Sequence, residues 1–260
     1  MHDVSFIAHP EWFGWREGLR RRWLAERTIA RADAIISVSA FTRAEILRFY
    51  NVSPERVRIV LSGITPRVTP LTTRNSPPSV LFVGSIFNRR HLPTLIRAFA
   101  SVHRRFPSAQ LTMVGDDRSF PTQDLTASLR QAGVENSASL RSYVSESELR
   151  ELYRLATVFV FLSEYEGFGL TPLEAMSAGV PVVVADTPVA RELYGDAALF
   201  VPVANVTATA AAICTLLTDQ SIRDHQRQHA AALLPAFTWT RAADETLDVF
   251  EWAATTRSSR

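Results

Sequence analysis

The chain has 260 residues, 47% of them hydrophobic, with a formal net charge of +2 and a single cysteine. That length buries a substantial core in one large domain or two smaller ones; the near balance of charge argues against a nucleic-acid partner, and Cys214 alone makes neither an internal disulfide nor a cysteine-based zinc site. No apolar run reaches the roughly 18 residues needed to span a bilayer, and the opening residues lack the basic start and apolar stretch of a secretory leader, so the expected compartment is the cytoplasm.

All 28 basic residues are arginine. Any phosphate bound through side-chain charge must therefore meet a planar fork of donors and not a point charge. In chain order, a basic, Trp-rich helix is predicted over 14–31, a strand over 34–39, a helix over 41–50 and a strand over 57–63. Residues 1–64 are too few and too open for a complete doubly wound domain, and read as the second half of one. The helix "WREGLRRRWLAER" either packs on its own domain or lays Trp15, Leu19 and Trp23 into a membrane surface as a peripheral contact. Residues 65–78 hold four prolines and no periodicity, and read as a linker.

From residue 79 short β-branched runs alternate with helical patterns. Strands are predicted over 79–84, 109–115 and 138–144, with helices over 92–105 and 122–132 between them. "SESE" at 145–148 has capping-box spacing, so a helix starts there and runs to about 155. "TVFVFL" (157–162) and "VPVVVA" (180–185) are nearly continuous apolar runs, the pattern of strands buried on both faces of a parallel sheet. The alternation predicts a doubly wound α/β domain over 79–236. Helices follow over 206–218 and 221–234, then a terminal helix over 239–254 and a disordered tail at 255–260. Cys214 lies in an apolar helical pattern and reads as a buried, inert thiol.

The stretch "SEYEGFGLTPLEAMSAGVPVVVAD" (163–186) packs carboxylates and glycines between two apolar strands. Ligands of open parallel sheets bind beyond the carboxyl ends of the strands, where this loop falls. Thr171 suits an N-cap and Pro172 the first helical position, so a helix is predicted over 172–178, ending at Gly179. Gly167 and Gly169 before it let backbone N–H groups approach an anion. Thr171 and Glu174 also have capping-box spacing, which leaves open a purely local role for Glu174.

"EYEGFGLTPLEAMSAGVPVV" resembles the signature of the retaining GT-B glycosyltransferases of family 4, whose two glutamates are separated by seven residues, as Glu166 and Glu174 are. "SAFTRAEILRFYNVSPERVRIVLSGI", "VSESELRELYRLATVFVFLS", "GDAALFVPVANVTATAAAICTLLTD" and "FTWTRAADETLDVF" resemble further segments of the family, so the likeness covers almost the whole chain. It implies a GT-B-like α/β fold: a Rossmann-type donor domain, part of an N-terminal acceptor-side domain over 1–64, and a crossover helix over 237–254. By that likeness roughly one hundred residues of N-terminal domain are expected to precede this chain.

The resemblance implies a hexosyltransferase, with GDP-mannose as the candidate donor and mannosyl transfer as the candidate reaction, that retains anomeric configuration, needs no metal or cofactor, and takes a saccharide or lipid-linked acceptor. Glu166 would contact the donor sugar, and the N–H groups of Phe168, Gly169 and Leu170 the diphosphate or sugar. Glu174 would hold the ribose, and Tyr143 and Val144 fall where the base pocket lies. In "VGSIFNRRHLPTLIRAF", Gly84 is kept, Ser85 stands where the family usually has Arg, and Arg90 stands at its Lys position, with Arg89 a substitute for the lost charge. "HDVSFIAHPEWF" makes His2 the candidate near the reacting centre, whereas His9 and His91 read as ordinary surface or turn residues. No Asp-x-Asp metal pair stands in the donor half. The rival readings are a nucleotide-sugar-binding module without turnover and an epimerase of the same fold.

Overall fold

The structure, a computed structural model, describes residues 1–67 and 77–258. Most of the expected linker therefore lies outside the described residues. The chain divides into two compact units, one of residues 1–65, 165–169 and 235–260, the other of residues 66–164 and 170–234.

The first unit opens with α1 (Ser5–Ala8) and α2 (Trp15–Arg31), followed by β1 (Ile35–Ser37), α3 (Ala40–Phe49) and β2 (Val57–Ile59). β1 and β2 pair in parallel, with Ile35 opposite Val57. Ser39 caps α3 by accepting the Thr42 N–H, which satisfies one of the orphan donors of the first turn. The core is small: Val4, Phe6, Ala25, Ile29, Ile35, Ile46, Tyr50 and Val57 form one cluster.

The second unit holds β3 (Ser79–Val83), α4 (Leu92–Arg105), β4 (Gln110–Val114), α5 (Leu125–Ala132), β5 (Ala138–Arg141), α6 (Glu146–Leu155), β6 (Val158–Phe161), α7 (Leu170–Ser177), β7 (Val182–Ala185), α8 (Pro188–Tyr194), β8 (Ala198–Val201), α9 (Val206–Thr218) and α10 (Gln220–Leu233). Its strands form one six-stranded sheet in the order β5-β4-β3-β6-β7-β8, every pair parallel. Strand order reverses direction between β3 and β6. This is the doubly wound arrangement, and the crevice at that switch point is where such sheets bind ligands. β6 and β7 are buried at every position, as their unbroken apolar runs require. Phe82 and Phe161 stack across the switch at 6.1 Å, and Phe159 stacks on Tyr153 of α6 at 5.9 Å. Each such ring contributes about 1.5–3 kcal/mol by leaving water.

α11 (Trp239–Ser258) returns the chain to the first unit, where Ala242 and Val249 pack with Val60. It continues past residue 254, through positions expected to be disordered. α8 and β8 have no counterpart in the sequence prediction, although Thr187 caps α8 with Pro188 in its first turn. α5 starts at Leu125 and not at 122, because Asp124 caps it by accepting the Ala127 N–H. Cys214 is half-buried and free, less enclosed than its apolar surroundings suggested. Among the described residues no helix is long and apolar enough to cross a membrane.

Candidate functional site

In the second unit, the loop after β3 begins at Gly84, whose φ of +143° excludes a comfortable side chain. A Cβ there would stand 2.5 Å from Arg90 Nη1, because the Arg90 side chain curls back over its own loop. Arg90 Nη1 donates to the Ser85 carbonyl at 2.7 Å. Its guanidinium lies 4.9 Å from the Phe161 ring centroid and 5.5 Å from that of Phe87, while Arg89 covers Phe87 at 4.2 Å. The structure thus gathers Gly84, Ser85, Arg89 and Arg90 into one turn. Arg90 thus lies beside Ser85, held by that residue's carbonyl and by the Phe161 and Phe87 rings.

That turn is tied on both sides. Ile86 N–H donates to the Asp116 carbonyl at 2.8 Å, joining it to the loop after β4. Glu164 N–H donates to the Arg89 carbonyl at 2.9 Å, joining it to the loop after β6. His91, read from sequence as an ordinary turn histidine, adopts φ +50° at the entry to α4 and places Nε2 3.1 Å from Glu164 Oε2. The two loops at the switch point are therefore linked by a backbone bond and a side-chain contact. The sequence signal for this was the carboxylate two residues before Glu166, which spacing alone did not pair with a histidine.

α7 starts at Leu170, two residues earlier than predicted, so Thr171 lies in its first turn and is not its cap. Thr171 Oγ1 is shielded from solvent and makes no hydrogen bond among the described residues. A buried hydroxyl without a partner costs free energy, which an arriving acceptor atom would recover. Beside it stand the N–H groups of the first turn, which have no intrahelical acceptors, and the positive end of the helix dipole. Glu174 is one turn on. It takes no part in a capping box; its Oε2 accepts from Arg67 Nε at 3.0 Å and from the Tyr153 hydroxyl at 3.4 Å. Burial, with the Glu174 charge second, raises the Tyr153 pKa well above the usual phenol value and keeps that hydroxyl a donor. Of the expected base-pocket pair, Tyr143 is 84% exposed on the loop after β5, and Val144 is buried in the core. β5 ends at Arg141, and the chain turns there toward the Ser145 cap of α6, which exposes the Tyr143 ring.

The remaining signature residues belong to the first unit. The Gly167 carbonyl accepts from Ser39 Oγ at 2.6 Å and from Thr42 Oγ1 at 3.1 Å. A Cβ on Gly167 would stand 1.6 Å from the His2 carbonyl oxygen, so only glycine fits. The chain around His2 is thereby brought against the signature loop, with the His2 side chain exposed. Tyr165 is buried and donates to Glu45 Oε2 at 3.3 Å; burial first, then the Glu45 charge, raises its pKa far above the usual phenol value. Phe168 packs edge-on against Phe237 at 5.8 Å. With Tyr165 and Phe168 sunk in the core, Glu166 between them is left half-buried, and Gly169 at φ +95° turns the chain into α7. Among the described residues no group of three or more His, Cys, Asp or Glu is placed to hold a metal ion.

The family described as Glycosyl transferases group 1 matches residues 69–232, and Glycosyltransferase Family 4 matches residues 1–68. The chain belongs to the group 1 glycosyl transferases. This group 1 transferase is 26% identical over 261 aligned residues to the O-antigen chain mannosyltransferase B of Escherichia coli, covering 96% of the chain and 68% of that protein. It is 29% identical over 204 residues to the GDP-mannose:cellobiosyl-diphosphopolyprenol alpha-mannosyltransferase of Komagataeibacter xylinus, covering 76% of the chain and 52% of the relative. Its fold is that of the GT-B glycosyltransferases. A point mutant of S. aureus TarM, solved in complex with fondaparinux, alpha-GlcNAc-glycerol and UDP, superposes with a TM-score of 0.77 at 15% identity, over 88% of this chain and 46% of the other. The chain thus spans between about half and two thirds of the length of the proteins it matches.

Proposed function

We propose that the chain binds a nucleoside diphosphate hexose, with mannose suggested by the names of both relatives and GDP by that of the Komagataeibacter xylinus protein, and serves its transfer to an acceptor hydroxyl with retention and without a metal ion. The observation that carries this reading is the switch point of the second unit. There the Gly84–Arg90 turn is fastened to the loop before the signature, and α7 opens with an unsatisfied Thr171 hydroxyl. Arg89, Arg90 and the first-turn N–H groups of α7 would stabilise the charge that grows on the departing diphosphate. Glu174 would take the ribose, Glu166 the sugar hydroxyls, and the exposed His2 side chain would hydrogen-bond the sugar. The acceptor would be a saccharide or a lipid-linked saccharide, in polysaccharide or glycoconjugate synthesis.

Titration calorimetry of UDP and GDP in EDTA tests the site. Metal-free binding of one nucleotide, weakened about 10-fold or more by Glu174→Ala and by Arg90→Ala, as expected for charged hydrogen bonds, supports it. A folded protein that binds neither nucleotide contradicts it.

A second reading is that the nucleotide sugar is bound without turnover. Sugar transfer or nucleotide release from GDP-mannose by the purified chain overturns that reading. Contact with a membrane surface is supported by α2, where Trp15, Leu19 and Trp23 recur every fourth residue and stand exposed among arginines. Flotation with anionic vesicles that is lost in Trp15→Ala/Trp23→Ala supports it, and flotation unchanged by the pair sinks it.

A further inference from the structure

Arg67 opens the second unit, in a segment the sequence offered only as linker, yet its side chain is 12% exposed. It is held at four points. Its backbone N–H donates to Ser177 Oγ at 2.9 Å, and that hydroxyl donates to the Glu174 carbonyl at 2.8 Å. Its Nε donates to Glu174 Oε2 at 3.0 Å and its Nη1 to Glu146 Oε1 at 2.9 Å, while the guanidinium lies 5.2 Å from the Tyr153 ring centroid. Burial lowers the Arg67 pKa, but the hydrogen bond and charge of Glu174 outweigh it and leave the pKa raised, so the cation is secure.

Both contacts to the Glu174 carboxylate, from Arg67 and from the Tyr153 hydroxyl, fall on Oε2. Oε1 accepts no hydrogen bond among the described residues. A glutamate side chain left to itself loses rotamer freedom when a ligand fixes it. Here that freedom is removed beforehand by a planar fork braced on Tyr153 and Glu146. A carboxylate near a diphosphate also repels it, and the adjacent guanidinium offsets that charge.

We propose that Arg67 is a positioning residue for nucleotide recognition, holding Glu174 by one carboxylate oxygen so that the other faces the vicinal hydroxyls of the donor ribose. The inference rests on the reading of Glu174 as the ribose carboxylate, and its test separates the two. A merely structural ion pair would change stability and leave ribose recognition alone.

The experiment compares UDP or GDP, whichever binds more tightly, with its 2′,3′-dideoxy form, on the whole chain in EDTA. The wild type is expected to prefer the ribose form by about 10-fold or more, the worth of charge-assisted hydrogen bonds. Glu174→Ala brings the ratio to about 1, Arg67→Gln brings it to within about 3-fold of that, and the double variant loses nothing further, as for residues that act as a unit. A ratio untouched by Glu174→Ala overturns the ribose assignment and this inference with it. A ratio lost in Glu174→Ala but retained in Arg67→Gln overturns the positioning role alone. Should Arg67→Gln not fold, Arg67→Lys keeps the charge without the fork, and full wild-type discrimination there overturns the role equally.

Discussion

The two units solve the same problem of burying parallel strands with very different means. The second has six strands, helices on both faces, and side chains such as Phe82, Phe159 and Tyr153 almost wholly removed from water. The first has two paired strands of three residues each, a cluster of eight buried residues around them, and a signature loop pinned by Ser39 and Thr42. The residues proposed to meet the nucleotide, Gly84, Arg90, Thr171 and Glu174, stand in the six-stranded framework. The sugar-side candidates Glu166 and His2 stand in the thinner one. On the proposed reading, the more deeply buried framework is the half whose donors would meet the diphosphate.

The comparison breaks most visibly in the cores. Ile96→Ala, in α4 of the second unit, is expected near the top of the range of about 2–5 kcal/mol and Ile35→Ala in the small sheet near its bottom, read as midpoint shifts in urea unfolding. Equal shifts would mean that the two cores do not differ as their burial implies. At the site the comparison sharpens into a division of labour. Arg90→Ala weakens GDP or UDP binding by about 10-fold or more, whereas Glu166→Ala leaves the nucleotide affinity nearly unchanged and removes the added affinity of the intact nucleotide sugar. If Glu166→Ala alone abolished nucleotide binding, the division would be wrong.

The smallest effect is one of pH. Burial, with the Glu26 charge second, pushes the Tyr50 pKa from 10.0 up to about 12, while Arg22 pulls the other way. A group whose pKa is higher folded than unfolded supports the fold below its unfolded value and loses that support as pH rises through the folded one. Stability of the first unit therefore declines between pH 10.0 and about 12. The Tyr50 hydroxyl has no hydrogen-bond partner among the described residues, so Tyr50→Phe removes no bond. It is expected to flatten the alkaline decline in melting temperature with little change at pH 7, and an unaltered slope would count against it.

The sequence made the sheet legible wherever a strand was long and apolar on both faces. β6 and β7 declared themselves in "TVFVFL" and "VPVVVA". β8 did not, because its apolar run, Ala198–Val201, is only four residues long and only partly buried. The Ser145 cap of α6 was readable because capping spacing is local, and the Glu148 N–H does bond to it. Thr171 ahead of Pro172 misled about the start of α7, since a helix beginning at Leu170 leaves Thr171 no cap to make. At the site, the Gly84 turn and the Glu166–Glu174 signature were visible as spacing. Arg67 against Glu174 and His91 against Glu164 were not, because each pairs residues distant in sequence, 107 and 73 apart, and only the folded chain brings them together. Tyr143 shows the converse: a position taken from likeness to a family says nothing of where the ring points.

The nucleotide site at the switch point is tested by amide hydrogen exchange on the chain with and without the tighter-binding nucleotide, in EDTA. Protection is expected to concentrate in the Gly84–Arg90 turn and the first turn of α7, Leu170–Leu173, and to be absent there in Glu174→Ala at the same nucleotide concentration. Bound nucleotide that leaves those amides unprotected, or protects α11 around Trp239 and Phe250 in their place, would contradict it.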